Sequence, residues 1–213
     1  MLGVVFTGGE SPPPEVIRRE LKGEKAFIVA ADSGLIIAEE AGYSPKCIIG
    51  DMDSLDDEDR LRSYPPESII RYDHDKDYTD TELAVQAVIE KGCSMIWIIG
   101  GGGGRIDHLF GIRSLFERDI FPCRWITDAA DIRCIDAASA FGRLSCRLGK
   151  GEPVSVFPLG IGPWKAKSRG LKWPLDNVEW NRGFSGLSNE AADGGFSITA
   201  EKGRFLVLLS LGG

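Results

Sequence analysis

Cys47-Ile48-Ile49-Gly50-Asp51-Met52-Asp53-Ser54 carries the strongest fold signal in this chain. An apolar run meets a glycine, and then come two carboxylates, two positions apart. A short apolar run that stops in this way is a buried strand with its charged end at the carboxyl edge of a sheet. In open α/β sheets ligands bind at that edge. Asp51 and Asp53 repel each other unless a cation or protons lie between them. Their hard oxygens suit Mg²⁺ or Mn²⁺. A polar strand-to-loop turn is the competing reading, because Asp and Ser are ordinary turn residues.

Upstream, residues 2–6 form an apolar run ended by Thr7-Gly8-Gly9, and residues 26–30 form another ended by Ala31-Asp32-Ser33-Gly34. Between them Pro12-Pro13-Pro14 precedes Val16, Ile17 and Leu21, the apolar positions of a helix that Gly23 closes. Residues 35–41 read as a second helix, stopped at Gly42. Strand and helix alternate, which predicts a parallel sheet with helices on its faces.

Downstream, residues 55–67 are charged and proline-bearing, a surface helix and loop, and residues 68–72 read as a further strand. Thr79 and Glu82 have the spacing of a capping box, and Leu83, Ala84, Ala87 and Val88 continue an apolar helical face to Gly92. Residues 95–99 are the most apolar strand; Gly100 to Gly104 come next, and Arg105-Ile106-Asp107-His108 opens another helix. Past Trp125-Ile126-Thr127 helical periodicity disappears. Short apolar runs at 132–135, 154–157, 196–199 and 205–211 are punctuated by Gly, Pro and Asn, the pattern of an all-β sandwich. The expected architecture is therefore α/β: a Rossmann-like parallel-sheet domain over residues 1–128, then a C-terminal β-sandwich domain over 129–213.

A chain of 213 residues holds one large or two modest domains with a real core. Its formal charge of −7 argues against general binding of nucleic acid. No apolar stretch approaches the length that spans a bilayer, and the N-terminus lacks the basic start of a signal peptide. Five cysteines without a Cys-x-x-Cys pair point to reduced thiols in the cytoplasm.

Asp32, Asp51, Asp53, Asp80 and the segment 100–107 all come just after a predicted strand or open a helix, so a parallel sheet gathers them on one rim. Each has a structural alternative. Asp32 caps the next helix, Asp80 answers a helix dipole, and Asp73, Asp75 and Asp77 form a solvated acidic loop. The glycine run either lets backbone amides approach a phosphate or is a flexible surface loop. It is no Walker A, since no Gly-Lys-Ser/Thr comes after it. Arg105 favours an anion, because a guanidinium matches phosphate geometry. Asp107 and His108 are placed to orient that arginine or a substrate. Together these parts describe a site for a magnesium-bound polyphosphate.

The chain resembles the thiamine pyrophosphokinase family. The matching stretches are Ala31-Asp32-Ser33-Gly34, Ile49-Gly50-Asp51-Met52-Asp53-Ser54, Asp77-Tyr78-Thr79-Asp80-Thr81-Glu82 and Gly103-Gly104-Arg105-Ile106-Asp107-His108. Gly170-Leu171-Lys172-Trp173-Pro174-Leu175 and Leu187-Ser188-Asn189-Glu190 carry the resemblance into the second domain. Ser33 stands where relatives usually have glycine. The resemblance implies an enzyme that moves a diphosphate from ATP to the hydroxyl of thiamine and releases AMP. By similarity Asp51, Asp53 and Asp80 hold Mg²⁺, and Asp32, Gly103, Gly104 and Arg105 meet ATP. Asp107 positions the substrate side, and Trp173, Ser188 and Asn189 receive thiamine. The resemblance also implies a homodimer whose active sites are shared between chains. Taken alone, Trp173 reads as a core aromatic of the β-domain. A pyrophosphokinase acting on a pterin alcohol, a glycosyltransferase using Asp51-Met52-Asp53, and a non-catalytic thiamine or nucleotide sensor are the competing readings.

Overall fold

The structure, a computed structural model, describes residues 1–52, 58–73, 75, 77–192 and 194–211. The chain divides into two compact units, Met1–Asp128 and Ala129–Gly213.

The first unit holds a parallel sheet of β1 (Leu2–Thr7), β2 (Ala26–Ala31), β3 (Cys47–Gly50), β4 (Ile69–Arg71), β5 (Met95–Gly100) and β6 (Arg124–Ile126). Their spatial order is β6-β5-β1-β2-β3-β4. Helices α1 (Pro14–Glu20), α2 (Gly34–Glu40), α3 (Glu58–Leu61), α4 (Asp80–Glu90) and α5 (Ile106–Leu115) connect successive strands. The central strand β1 is buried along its whole length, which is why it reads as an unbroken apolar run. Edge strand β4 is exposed over two of its three residues. Strand order reverses between β1 and β5, because the chain leaves β1 toward β2 and returns to β5 on the other side. Such a switch point opens a crevice at the carboxyl ends of the strands.

Helix α4 starts as its spacing predicts. Thr79 Oγ1 accepts from the Glu82 amide at 3.2 Å, and Glu82 Oε2 accepts from the Thr79 amide at 2.9 Å. The box satisfies two of the amides that a helix start leaves orphaned.

The second unit consists of two antiparallel sheets. β7 (Ala130–Asp136), β9 (Pro153–Leu159), β11 (Gly186–Glu190) and β13 (Arg204–Ser210) form one, in the order β11-β9-β13-β7. β8 (Arg143–Cys146), β10 (Lys165–Arg169) and β12 (Phe196–Lys202) form the other, in the order β10-β12-β8. Alternate residues of both sheets meet in one core, among them Val154, Val156, Phe205 and Val207 from one and Ala166, Phe196 and Ile198 from the other. This inward alternation defines a β-sandwich. Strands β8, β10 and β11 fall outside the apolar runs read from sequence.

Candidate active site

The carboxyl ends of β1, β2, β3 and β5, with the starts of α4 and α5, surround a cleft of about 710 Å³. Asp32, Asp51, Asp77, Asp80, Arg105, Asp107 and His108 all line it. The rim expected from the strand-end rule therefore gathers residues from 32 to 108. Asp53 lies outside the described residues. Asp73 and Asp75 are exposed and do not line the cleft, which fits the solvated loop read for them.

Met52, the residue after Asp51, fixes the backbone just past β3. It adopts φ 64°, and its side chain is only 6% exposed in a core cluster with Ala30, Leu35, Ile48 and Leu61. Burying Met52 there anchors the backbone that carries Asp51. On the same side Glu39 of α2 pairs with Arg60 of α3 and accepts from the Tyr64 hydroxyl at 2.9 Å. Burial, helped by Glu39, pushes the Tyr64 phenol up.

Asp32 directly precedes the cap position of α2. The cap position is Ser33, which makes no side-chain cap bond, and Asp32 holds φ 46°. Its amide donates to Ile49 O of the neighbouring strand at 2.8 Å. Asp80 is the first residue of α4, with Thr79 as the cap. Next to it Thr81 Oγ1 lies 2.6 Å from Thr7 Oγ1, tying the helix start to the end of β1.

The glycine run is a packed element, not a loose loop. Gly102 and Glu10 exchange two backbone bonds, both 2.8 Å, and the Gly101 amide donates to Gly8 O at 3.0 Å. A Cβ on Gly101 would lie 2.5 Å from Ile112 Cδ1, and one on Gly103 would lie 2.3 Å from Glu10 Cδ. The amides of Gly103 and Gly104 make no backbone hydrogen bond among the described residues. They remain available to an anion.

Arg105 forks onto Asp107, Nε donating to Oδ1 at 3.2 Å and Nη2 to Oδ2 at 2.5 Å. That hydrogen bond holds the Asp107 carboxyl below the usual carboxylate range and raises the guanidinium in turn. Asp107 therefore aims Arg105, and Nη1 lies outside the fork.

Sequence reading missed Thr7, Gly8 and Gly9, which also line the cleft. The strand-then-glycine pattern that singled out residues 100–104 is present there too.

In the second unit Trp173 is 52% exposed, so it is not a core aromatic. Asn189, by contrast, is 5% exposed. Its Oδ1 accepts from the Trp173 amide at 3.1 Å and its Nδ2 donates to Trp173 O at 2.7 Å, so the side chain clamps the tryptophan's backbone. The Lys172 ammonium sits 4.4 Å from the Trp173 ring centroid while bonding Glu190 Oε2 at 2.9 Å. Ser188 is exposed, with φ 56°, where the β11–β9 register shifts between Gly186 and Asn189. A break in register of this kind re-aims the side chains beside it.

Hard carboxylate donors at Asp51 and Asp80 suit Mg²⁺, which is commonly held by one or two carboxylates together with substrate phosphates. No group of three metal-ligating side chains assembles among the described residues.

Comparison with known proteins bears on both units. Residues 19–120 match the family model for the thiamin pyrophosphokinase catalytic domain, and residues 143–205 that for the thiamin pyrophosphokinase vitamin B1 binding domain. Thiamine pyrophosphokinase of Bacillus subtilis (strain 168) is 27% identical over 195 residues, covering 88% of each chain. The crystal structure of thiamin pyrophosphokinase from Geobacillus thermodenitrificans aligns with a TM-score of 0.75 at 25% identity, over 100% of this chain and 98% of that one. Thiamin pyrophosphokinase from Candida albicans shares the fold, with a TM-score of 0.73 at 18% identity over 99% and 90% of the two chains.

Proposed function

Because the chain belongs to the thiamin pyrophosphokinase family, we propose that it transfers the diphosphate of ATP to the hydroxyl of thiamine, giving thiamine diphosphate and AMP. The observation that carries this reading is the convergence of Asp32, Asp51, Asp80, the open amides of Gly103 and Gly104, and Arg105 on one cleft at the switch point.

Asp51 and Asp80, with Asp53, would hold Mg²⁺, which neutralises triphosphate charge when bound. The amides of Gly103 and Gly104 donate to phosphate oxygens, and Arg105, aimed by Asp107, offsets the charge that develops as the bond breaks. The thiamine hydroxyl oxygen attacks the β-phosphorus. The bond from the β-phosphorus to the oxygen bridging to the α-phosphorus breaks, AMP departs with that bonding pair, and the hydroxyl proton is released. Positioning and charge neutralisation do the work, as in phosphoryl transfer generally.

Trp173 offers a flat apolar face for the aminopyrimidine, Ser188 a hydroxyl beside it, and Asn189 the clamp that holds the tryptophan. We further read the enzyme as a cytoplasmic homodimer in which the second unit of one copy completes the cleft of the other. The free state of all five cysteines supports the compartment. Isotope transfer tests the reaction: β-³²P from labelled ATP should appear in thiamine diphosphate and α-³²P only in AMP. Label from the γ-position alone in a thiamine monophosphate would contradict it.

A further inference from the structure

We propose that the Ser33 hydroxyl is a further substrate-binding group, donating a hydrogen bond to a phosphate oxygen of the nucleotide. The proposal rests on the reading of the cleft as a triphosphate site. Ser33 lines that cleft between Asp32 and the start of α2. Serine at a helix start ordinarily spends its oxygen on the helix, but Ser33 has an αR backbone, φ −60° and ψ −7°, and makes no cap bond. Its Oγ has no hydrogen-bond partner among the described residues.

The neighbouring backbone leaves room for that hydroxyl. A Cβ on Gly8 would fall 2.2 Å from Ser33 Oγ, so any residue but glycine at position 8 would displace it. Gly8 lines the same cleft, as do Asp51 and Asp80. A half-buried hydroxyl of this kind is a donor in search of an acceptor. The ligand that the cleft's carboxylates and open amides select brings phosphate oxygens. Helix α2 has only seven residues and contributes nothing to the case, which rests on the hydroxyl and its cradle.

The test compares Ser33→Ala and Gly8→Ala with the unaltered enzyme, measuring ATP and AMP affinity by calorimetry, the KM for each substrate, and melting temperature. A hydrogen bond to a charged group corresponds to roughly tenfold or more in affinity. Ser33→Ala should therefore weaken ATP by about tenfold and leave the thiamine KM and melting temperature unchanged. A loss shared by AMP places the hydroxyl on the α-phosphate, and one confined to ATP places it on the β- or γ-phosphate. The two substitutions should also be non-additive, because a Cβ at position 8 stands at an ordinary 3.5 Å from Ser33 Cβ once Oγ is gone. Unchanged ATP affinity in Ser33→Ala, or fully additive losses, with AMP-forming turnover intact, would overturn the proposal. Failure of the unaltered protein to form AMP would instead overturn the reading on which it rests.

Discussion

Asp32, Met52 and Ser188 are the non-glycine residues with left-handed backbone among those described, at φ 46°, 64° and 56°. Each sits in a stretch singled out from sequence for its chemistry. Such conformations cost about 1–3 kcal/mol apiece and persist where the surroundings over-determine them. At Met52 the burial of the side chain supplies that determination, and Asp51 is aimed as a result. Replacing Asp51 or Asp80 by Asn keeps shape but removes a charge, and each change should lower turnover by about a hundredfold or more. The melting temperature should stay close to that of the unaltered protein, since both side chains sit at a rim. Near-normal turnover with unchanged Mg²⁺ dependence would return them to turn and dipole roles. Asp107 permits a pH test. Its folded pKa is depressed by the Arg105 hydrogen bond, so the pair is fully formed above the ordinary carboxylate value of about 3.9 and is lost only as pH falls through the lower folded value. An NMR titration should place the Asp107 midpoint below ordinary aspartate, and loss of activity between pH 8 and 5 cannot come from this pair. A midpoint at or above the ordinary value would show that the fork does not form in solution.

At the scale of elements, the segment at the end of β5 shows how a run of one residue type divides its labour. Gly101 and Gly102 are consumed in packing against the end of β1, and Gly103 and Gly104 present their amides. Composition alone leaves this segment open between a phosphate-binding loop and a flexible surface loop, because what decides it is contact with residues 8 to 10. The Trp173 loop rests on a similar division, with the buried Asn189 amide holding the exposed indole. Trp173→Ala should weaken thiamine by about tenfold, with ATP affinity and melting temperature little changed. Asn189→Ala should weaken thiamine in the same direction while also costing about 1–3 kcal/mol of stability, since it leaves backbone groups unpaired. A Trp173→Ala variant that melts early and loses both ligands together would mean that the ring supports the domain instead. Strands β8, β10 and β11 were illegible for a physical reason. In β10, Lys165-Ala166-Lys167-Ser168-Arg169, Ala166 is the one fully buried residue, and an edge strand of that kind carries no apolar run. Central strands such as β1 and β5 must be apolar throughout and announce themselves.

At the scale of the whole molecule, alternation of apolar runs and helical faces up to residue 127, and its loss beyond, was enough to read a parallel α/β unit and then a β-sandwich. What could not be read was the strand order, and with it the switch between β1 and β5 that makes the cleft; that order depends on pairings between distant residues. The role of Asp53 rests on its sequence motif, since it lies outside the described residues. A second unit of fewer than a hundred residues has a limited core, so burial against another copy would stabilise it. Sedimentation at micromolar concentration should show a dimer, and a monomer fully active on dilution would contradict a site shared between copies. Attack at the β-phosphorus of ATP, as proposed for the cleft, releases AMP and not ADP. Its most direct test is the nucleotide released when protein, Mg²⁺, ATP and thiamine are incubated together and monitored by ³¹P NMR. AMP and thiamine diphosphate should rise in equal amounts, and only when thiamine is present; ADP with thiamine monophosphate, or AMP formed without thiamine, would rule out transfer of the diphosphate to thiamine.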